Sequence, residues 1–190
     1  MQNNIEVLKQ YIINKDFEKA INIINDSHFD LYLYDNIRIL FILSINNNFN
    51  YLFDKYLNHF KSNPEYNYLI SYGISRSIES NNIYSFKKLV NSSNFNDEEI
   101  SKHILTLSSF FYSDIYVNML NILIKKYSSF NLTSLTALSM SINSKNHYVY
   151  NTIIKHMKNI NEINESWIEE NIQHREDQKN IKKIIKIKTF

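Results

Sequence analysis

The stretch Ser80-Asn81-Asn82-Ile83-Tyr84-Ser85-Phe86-Lys87-Lys88-Leu89-Val90 decides how the chain is read. Ile83, Phe86, Leu89 and Val90 recur at helical spacing, so they stripe one face of an amphipathic helix. The Ser-Asn-Asn ahead of them is a polar break. Asn and Asp tolerate left-handed backbone better than other residues with a Cβ, so such a break can reverse the chain without glycine.

Working outward, the same alternation recurs. Apolar runs at Ile5, Leu8 and Ile12, at Ile37, Leu40, Phe41 and Ile45, and at Met119, Leu120, Leu123 and Ile124 alternate with breaks at Asn14-Lys15-Asp16, Asn46-Asn47-Asn48, Tyr112-Ser113-Asp114 and Ser144-Lys145-Asn146. The chain reads as a string of helical hairpins. The first apolar or aromatic residues after the breaks are Phe17, Phe49, Ile83, Ile115 and Tyr148. They recur with a period of about 33 residues, and a near-constant period on this scale is the mark of stacked repeats. The expected fold class is all-α: an α-solenoid of about five helix-turn-helix repeats over residues 1–164, then a C-terminal capping helix and basic tail over 165–190. Most hairpins end on an apolar residue followed by Asp or Asn, at Phe29-Asp30, Phe95-Asn96, Phe130-Asn131 and Ile160-Asn161, whereas the second ends at Ser62-Asn63-Pro64.

These residues resemble the ankyrin-repeat family. Thr136-Ala137-Leu138-Ser139-Met140-Ser141, then Asn146-His147, then Ile153-Ile154 is similar to that family's T-P-L-H-x-A opening, its G-H turn and its paired aliphatics. The Phe-Asp and Phe-Asn endings resemble its D-V-N. Ser139 replaces the usual His, Ser44, Ser77, Ser108 and Ser141 stand where first-helix alanines are usual, and no turn holds glycine. The resemblance implies a degenerate ankyrin-like array whose extended face binds another protein, with a different α-solenoid or a non-repeat helical bundle as the alternatives. The tetratricopeptide signature is not found.

Composition narrows the function. The 190 residues hold 44% hydrophobic side chains, enough for a sizeable core, but one glycine (Gly73), one proline (Pro64) and no cysteine. Thiolate metal sites, iron–sulfur clusters, disulfides and cysteine nucleophiles are excluded, and so are the glycine-rich loops that cradle phosphates. The 29 Asn and 30 Ile have AT-rich codons, so the bias points to genome composition, as in a large DNA virus or an intracellular parasite. Met1 to Asp16 does not read as a signal peptide, and no window is apolar enough to span a bilayer, so an intracellular location is expected.

No reaction centre is legible. The six histidines (His28, His59, His103, His147, His156 and His174) form no H-E-x-x-H motif and no pair four apart on one helix. Asp97-Glu98-Glu99 and the acids from Glu162 to Glu170 suit helix starts capped by Asn96 or Asp97 and by Asn164 or Ser166. No catalytic residue, metal or cofactor is expected.

Two surface features remain as candidates. Tyr51, Tyr84, Tyr116 and Tyr148 recur once per repeat at the start of each second helix, which makes them either an aromatic ladder open to a partner or inter-repeat packing. Residues 171–190 carry Arg175, Lys179, Lys182, Lys183, Lys186 and Lys188 against Glu176 and Asp177, a local charge of +4, around the stripe Ile181, Ile184 and Ile185. That segment reads first as a solubilising cap and second as a contact for an anionic partner such as RNA. The expected function is non-enzymatic protein binding, as scaffold, adaptor or blocker, with association with RNA or a ribonucleoprotein as the alternative.

Overall fold

In a computed structural model of the chain, residues 2–26, 28–32, 34–61, 63, 66–110, 113–127, 135–156, 160 and 163–188 are described. Among them there are twelve helices and no strand. Ten of the helices form five consecutive pairs, α1(Gln2–Ile13) with α2(Phe17–Ile24), α3(Tyr34–Asn46) with α4(Asn50–Lys61), α5(Asn67–Glu79) with α6(Ile83–Ser92), α7(Asp97–Ser108) with α8(Asp114–Lys126), and α9(Leu135–Asn143) with α10(His147–His156). The breaks within the pairs fall at the expected polar turns. Ser62, Pro64, Tyr112, the Phe130-Asn131 ending, Asn161 and Glu162 lie outside the described residues. The final stretch holds two helices, α11(Glu165–Asn171) and α12(Arg175–Lys188), packed on each other.

The chain forms two compact units, Met1–Asn94 and Phe95–Phe190. In the first, α1 packs on α3, α3 on α5 and α4 on α6. The buried side chains between them include Leu8, Ile12, Phe41, Ile45, Phe60 and Phe86. Phe41 meets Phe60 edge-on at 4.9 Å between centroids. Gly73 lies under that cluster. A Cβ there would stand 2.9 Å from the Phe41 ring and 3.1 Å from a Leu89 methyl, so the approach of α5 to α3 and α6 needs the missing side chain. In the second unit α7 packs on α9, and α10 on both α7 and α8. Ile104, Leu107, Leu120, Leu138 and Ile153 are buried there.

Four of the within-pair turns use one hydrogen-bond pattern. Lys15, Asn48, Asn81 and Lys145 adopt left-handed φ values of 56° to 59°. In each case the left-handed residue's N–H donates to the carbonyl three residues back (Ile12, Ile45, Ile78, Ile142), and the next N–H donates to the carbonyl five back (Tyr11, Ser44, Ser77, Ser141). This double closure of a helix end usually places glycine at the left-handed position. The composition of the breaks assigns the reversal to Asn and Asp. Lys15 and Lys145 correct that assignment, because a closed hydrogen-bond pattern can outweigh the roughly 1–2 kcal/mol that a Cβ costs in that conformation.

The buried serines follow the same logic. Ser44, Ser77, Ser108 and Ser141 are fully buried, and each hydroxyl donates to a carbonyl of its own helix, at 2.6 to 2.8 Å, on Phe41, Gly73, Ile104 and Leu138 respectively. A serine satisfied by its own helix packs like a small apolar residue, which explains its place in the core.

The expected caps form as well. The Asn96 side chain accepts the Glu99 N–H at 2.9 Å while Glu99 accepts the Asn96 N–H at 3.1 Å, and Asn164 accepts the Trp167 N–H at 2.8 Å.

Candidate interaction surfaces

Three of the four ladder tyrosines share one geometry. The Tyr51 hydroxyl donates to Asn25 at 2.7 Å, Tyr84 to Asp54 at 2.6 Å and Tyr148 to Asn121 at 2.9 Å. Each phenol therefore reaches back from one second helix to the second helix of the pair before it, or to its C-cap, while 36% to 38% of the residue stays in solvent. In the first unit Lys55 lies over the Tyr51 ring and Lys88 over the Tyr84 ring, at 5.1 and 5.2 Å from the centroids. Lys88 also stands 3.5 Å from Asp54. The hydrogen bond to Asp54 holds the Tyr84 phenol above its ordinary pKa.

Tyr116 differs. It is 7% exposed and stacks on Phe110 at 4.9 Å between centroids. The break between α7 and α8 is longer than the other four, and it supplies the Phe110 ring that covers Tyr116. Even spacing in sequence gave no sign of this, because it reports the helix start and not what the turn before it brings along.

On α12, Arg175, Lys179, Lys183 and Lys186 are exposed, Lys182 is half-buried, and the Lys188 side chain lies outside the described residues. Lys182 reaches α11, 3.3 Å from Glu169 and 3.6 Å from Glu165. Ile181 is buried and Ile184 and Ile185 are half-buried, so the apolar stripe turns inward. The α11 end is tied down by α9: the Ser139 hydroxyl and the Asn143 amide both donate to the Asn171 carbonyl at 3.1 Å, and Asn143 accepts the Gln173 N–H at 3.3 Å.

A third surface escaped the sequence reading. Ile39 on α3 and Tyr68 and Tyr72 on α5 are exposed, Tyr68 by 54%, and the Arg38 guanidinium lies 5.6 Å from the Tyr72 centroid. Ile39 and Tyr72 are one repeat apart in sequence, so the two hold equivalent places on adjacent first helices. The available signal was an apolar residue on the polar side of each helical stripe.

The titratable groups offer little chemistry. Among the described residues no three of His, Asp and Glu converge as a metal-holding group. His103 is buried on α7 with both ring nitrogens unpartnered, its ring 5.1 Å from Phe95, and burial pushes its pKa down to about 4. It is a neutral core side chain at neutral pH. Tyr56 is buried with its hydroxyl donating to the Leu31 carbonyl at 3.1 Å, and burial pushes its pKa up. Among the described residues no helix is long and apolar enough to cross a membrane. No protein family, curated protein or solved structure matches the chain.

Proposed function

We propose that this chain is a protein-binding module of degenerate ankyrin-like helix pairs, acting as scaffold, adaptor or blocker without chemistry of its own. The observation that carries the reading is the exposed cluster of Ile39, Tyr68 and Tyr72 with Arg38 against Tyr72. Tyrosine and arginine dominate the energetics of protein interfaces, and aromatic residues on stacked helices give a rigid contact at low entropic cost. Support for the ankyrin-like character comes from the left-handed turn residues Lys15, Asn48, Asn81 and Lys145, which follow one another at one, one and nearly two repeat lengths. Their closing pattern restores, without glycine, the turn that the family builds with it.

The test is capture of a partner from the native source with the full chain and with a Tyr68→Ala/Tyr72→Ala variant. Loss of the partner at unchanged melting temperature is expected, since both side chains are exposed and carry little core packing. Retention of the partner by this variant, and by Arg38→Glu, overturns the assignment of the surface.

A further inference from the structure

On α3 the side turned away from the core is apolar as well. Ile37, Leu40, Phe41 and Ile45 are buried, and a second stripe, Ile39, Ile42 and Leu43 at i, i+3 and i+4, stands on the opposite side, Ile39 exposed and the other two half-buried. A helix apolar all round is normally covered all round, and here the outer stripe lies open. Beside it on α5, which packs against α3, the exposed Tyr68 and Tyr72 share one side at i and i+4. Ion pairs close both margins. Glu6 and Lys9 of α1 hold the places of Ile39 and Ile42 one repeat earlier and stand 2.6 Å apart. Arg76 of α5 holds the place of Leu43 one repeat later and pairs with Glu79. The apolar strip thus follows the seam of α3 and α5 between polar edges, as an interface core lies within its rim. One cation of the strip stays open: Arg38 is exposed over the Tyr72 ring and, among the described residues, pairs with no carboxylate.

We infer that the seam receives a single amphipathic helix of a partner protein, laid along α3 with its apolar i, i+3, i+7 face on Ile39, Ile42, Leu43, Tyr68 and Tyr72 and with a carboxylate at Arg38. The inference rests on the protein-binding reading and names the kind of partner. Two packed helices form a groove that takes the side-chain ridge of a third, and apolar anchors one turn apart give such a ligand its hold. The guanidinium is a planar fork that fits a carboxylate, and the aromatic ring beside it fixes its orientation.

Other occupants fit this face less well. An extended peptide needs a free sheet edge, and the elements here are helices. A nucleic acid needs a row of cations to displace its counterions, whereas Lys9 and Arg76 are already paired and Arg38 stands alone. A face that lies on a membrane is rimmed with lysine and arginine, not with closed ion pairs. A stable dimer uses about 20–30 residues on each side, far more than this strip offers. A second copy would also bring a second Arg38 without an acid to meet it, because Glu6 and Glu79 are already held.

The probes are fluorescent synthetic peptides of about 18 residues, long enough to form helix in water. Two carry the same leucine stripe at i, i+3 and i+7, one with glutamates beside it and the other with lysines, and a third has the acidic composition in scrambled order. By anisotropy with the full chain, the acidic helix should bind about tenfold or more tighter than the lysine helix, and the scrambled peptide should not bind. Arg38→Glu should reverse the order of the two helices, and Ile39→Glu should lose both, each with an unchanged melting temperature because both side chains are exposed. Four outcomes overturn the inference: no binding of the acidic helix, equal binding of the scrambled peptide, an order that Arg38→Glu leaves as it was, or sedimentation of the chain as a dimer that Ile39→Glu disperses. A native partner lost by Tyr68→Ala/Tyr72→Ala but kept by Arg38→Glu and Ile39→Glu overturns this inference alone. A native partner kept by the tyrosine variant and by Arg38→Glu alike overturns the protein-binding reading of the surface itself.

Discussion

The Asn82 side-chain amide donates to the Ile45 carbonyl at 2.8 Å, joining the turn of one helix pair to the end of the preceding first helix. The same side chain accepts the Ser85 N–H at 3.0 Å. One buried residue thus caps α6 and gives a second donor to a carbonyl in the last turn of α3, which also accepts the Asn48 N–H. Asn146 repeats the arrangement in the second unit, accepting from Val149 at 3.2 Å and donating to the Phe110 carbonyl at 3.3 Å.

Asn82→Ala should therefore cost more than an ordinary cap. Loss of the cap is worth about 1 kcal/mol, and loss of the hydrogen bond to Ile45, whose carbonyl keeps the Asn48 N–H, adds about 1 kcal/mol. Asn82→Asp keeps an acceptor for Ser85 but removes the donor to Ile45, so it should recover no more than the capping part. Urea unfolding of the three proteins separates the terms.

Gly73→Ala should destabilise the first unit although alanine is the better helix former by about 1 kcal/mol. The new methyl would press on the buried Phe41 ring, and overpacking of this kind costs about 1–3 kcal/mol. In a Phe41→Leu background the same substitution should cost clearly less. A double-mutant cycle with no coupling would show that the close approach is relieved elsewhere.

Acid should weaken the second unit through His103. Above its unfolded pKa near 6.5 the imidazole is neutral in both states; below that, the unfolded chain takes up a proton that the buried ring refuses until about pH 4. Stability is thus complete above pH 6.5 and falls as the pH drops from 6.5 to 4, by about 3 kcal/mol at most. His103→Leu should flatten that part of the profile, as read from urea midpoints at pH 7 and pH 4.5.

For the tyrosine ladder, Tyr51→Phe and Tyr84→Phe should each lower the unfolding free energy by about 1 kcal/mol. The two bonds share no partner, so the losses should add. Unchanged stability in the double variant would mean that the hydroxyls contribute nothing to packing and would favour the ladder as a partner surface.

Local rules settled much of this protein from sequence alone. The i, i+3, i+4 stripes, the five polar breaks and the caps at Asn96 and Asn164 depend on neighbouring residues, so each was legible in the order of the chain. Side-chain destinations across pairs were decided only in the tertiary structure. Tyr84 and Tyr116 hold the same place in the period, yet one reaches Asp54 and the other is covered by Phe110, because the turn between α7 and α8 is longer. The Asn82 link to Ile45 and the close approach of Gly73 to Phe41 each join groups about a full repeat apart in the chain. The exposure of Ile39, Tyr68 and Tyr72 likewise depends on what neighbouring helices leave uncovered. A helical period specifies which face of each helix turns inward, but the group it meets there depends on the packing of the adjoining pair.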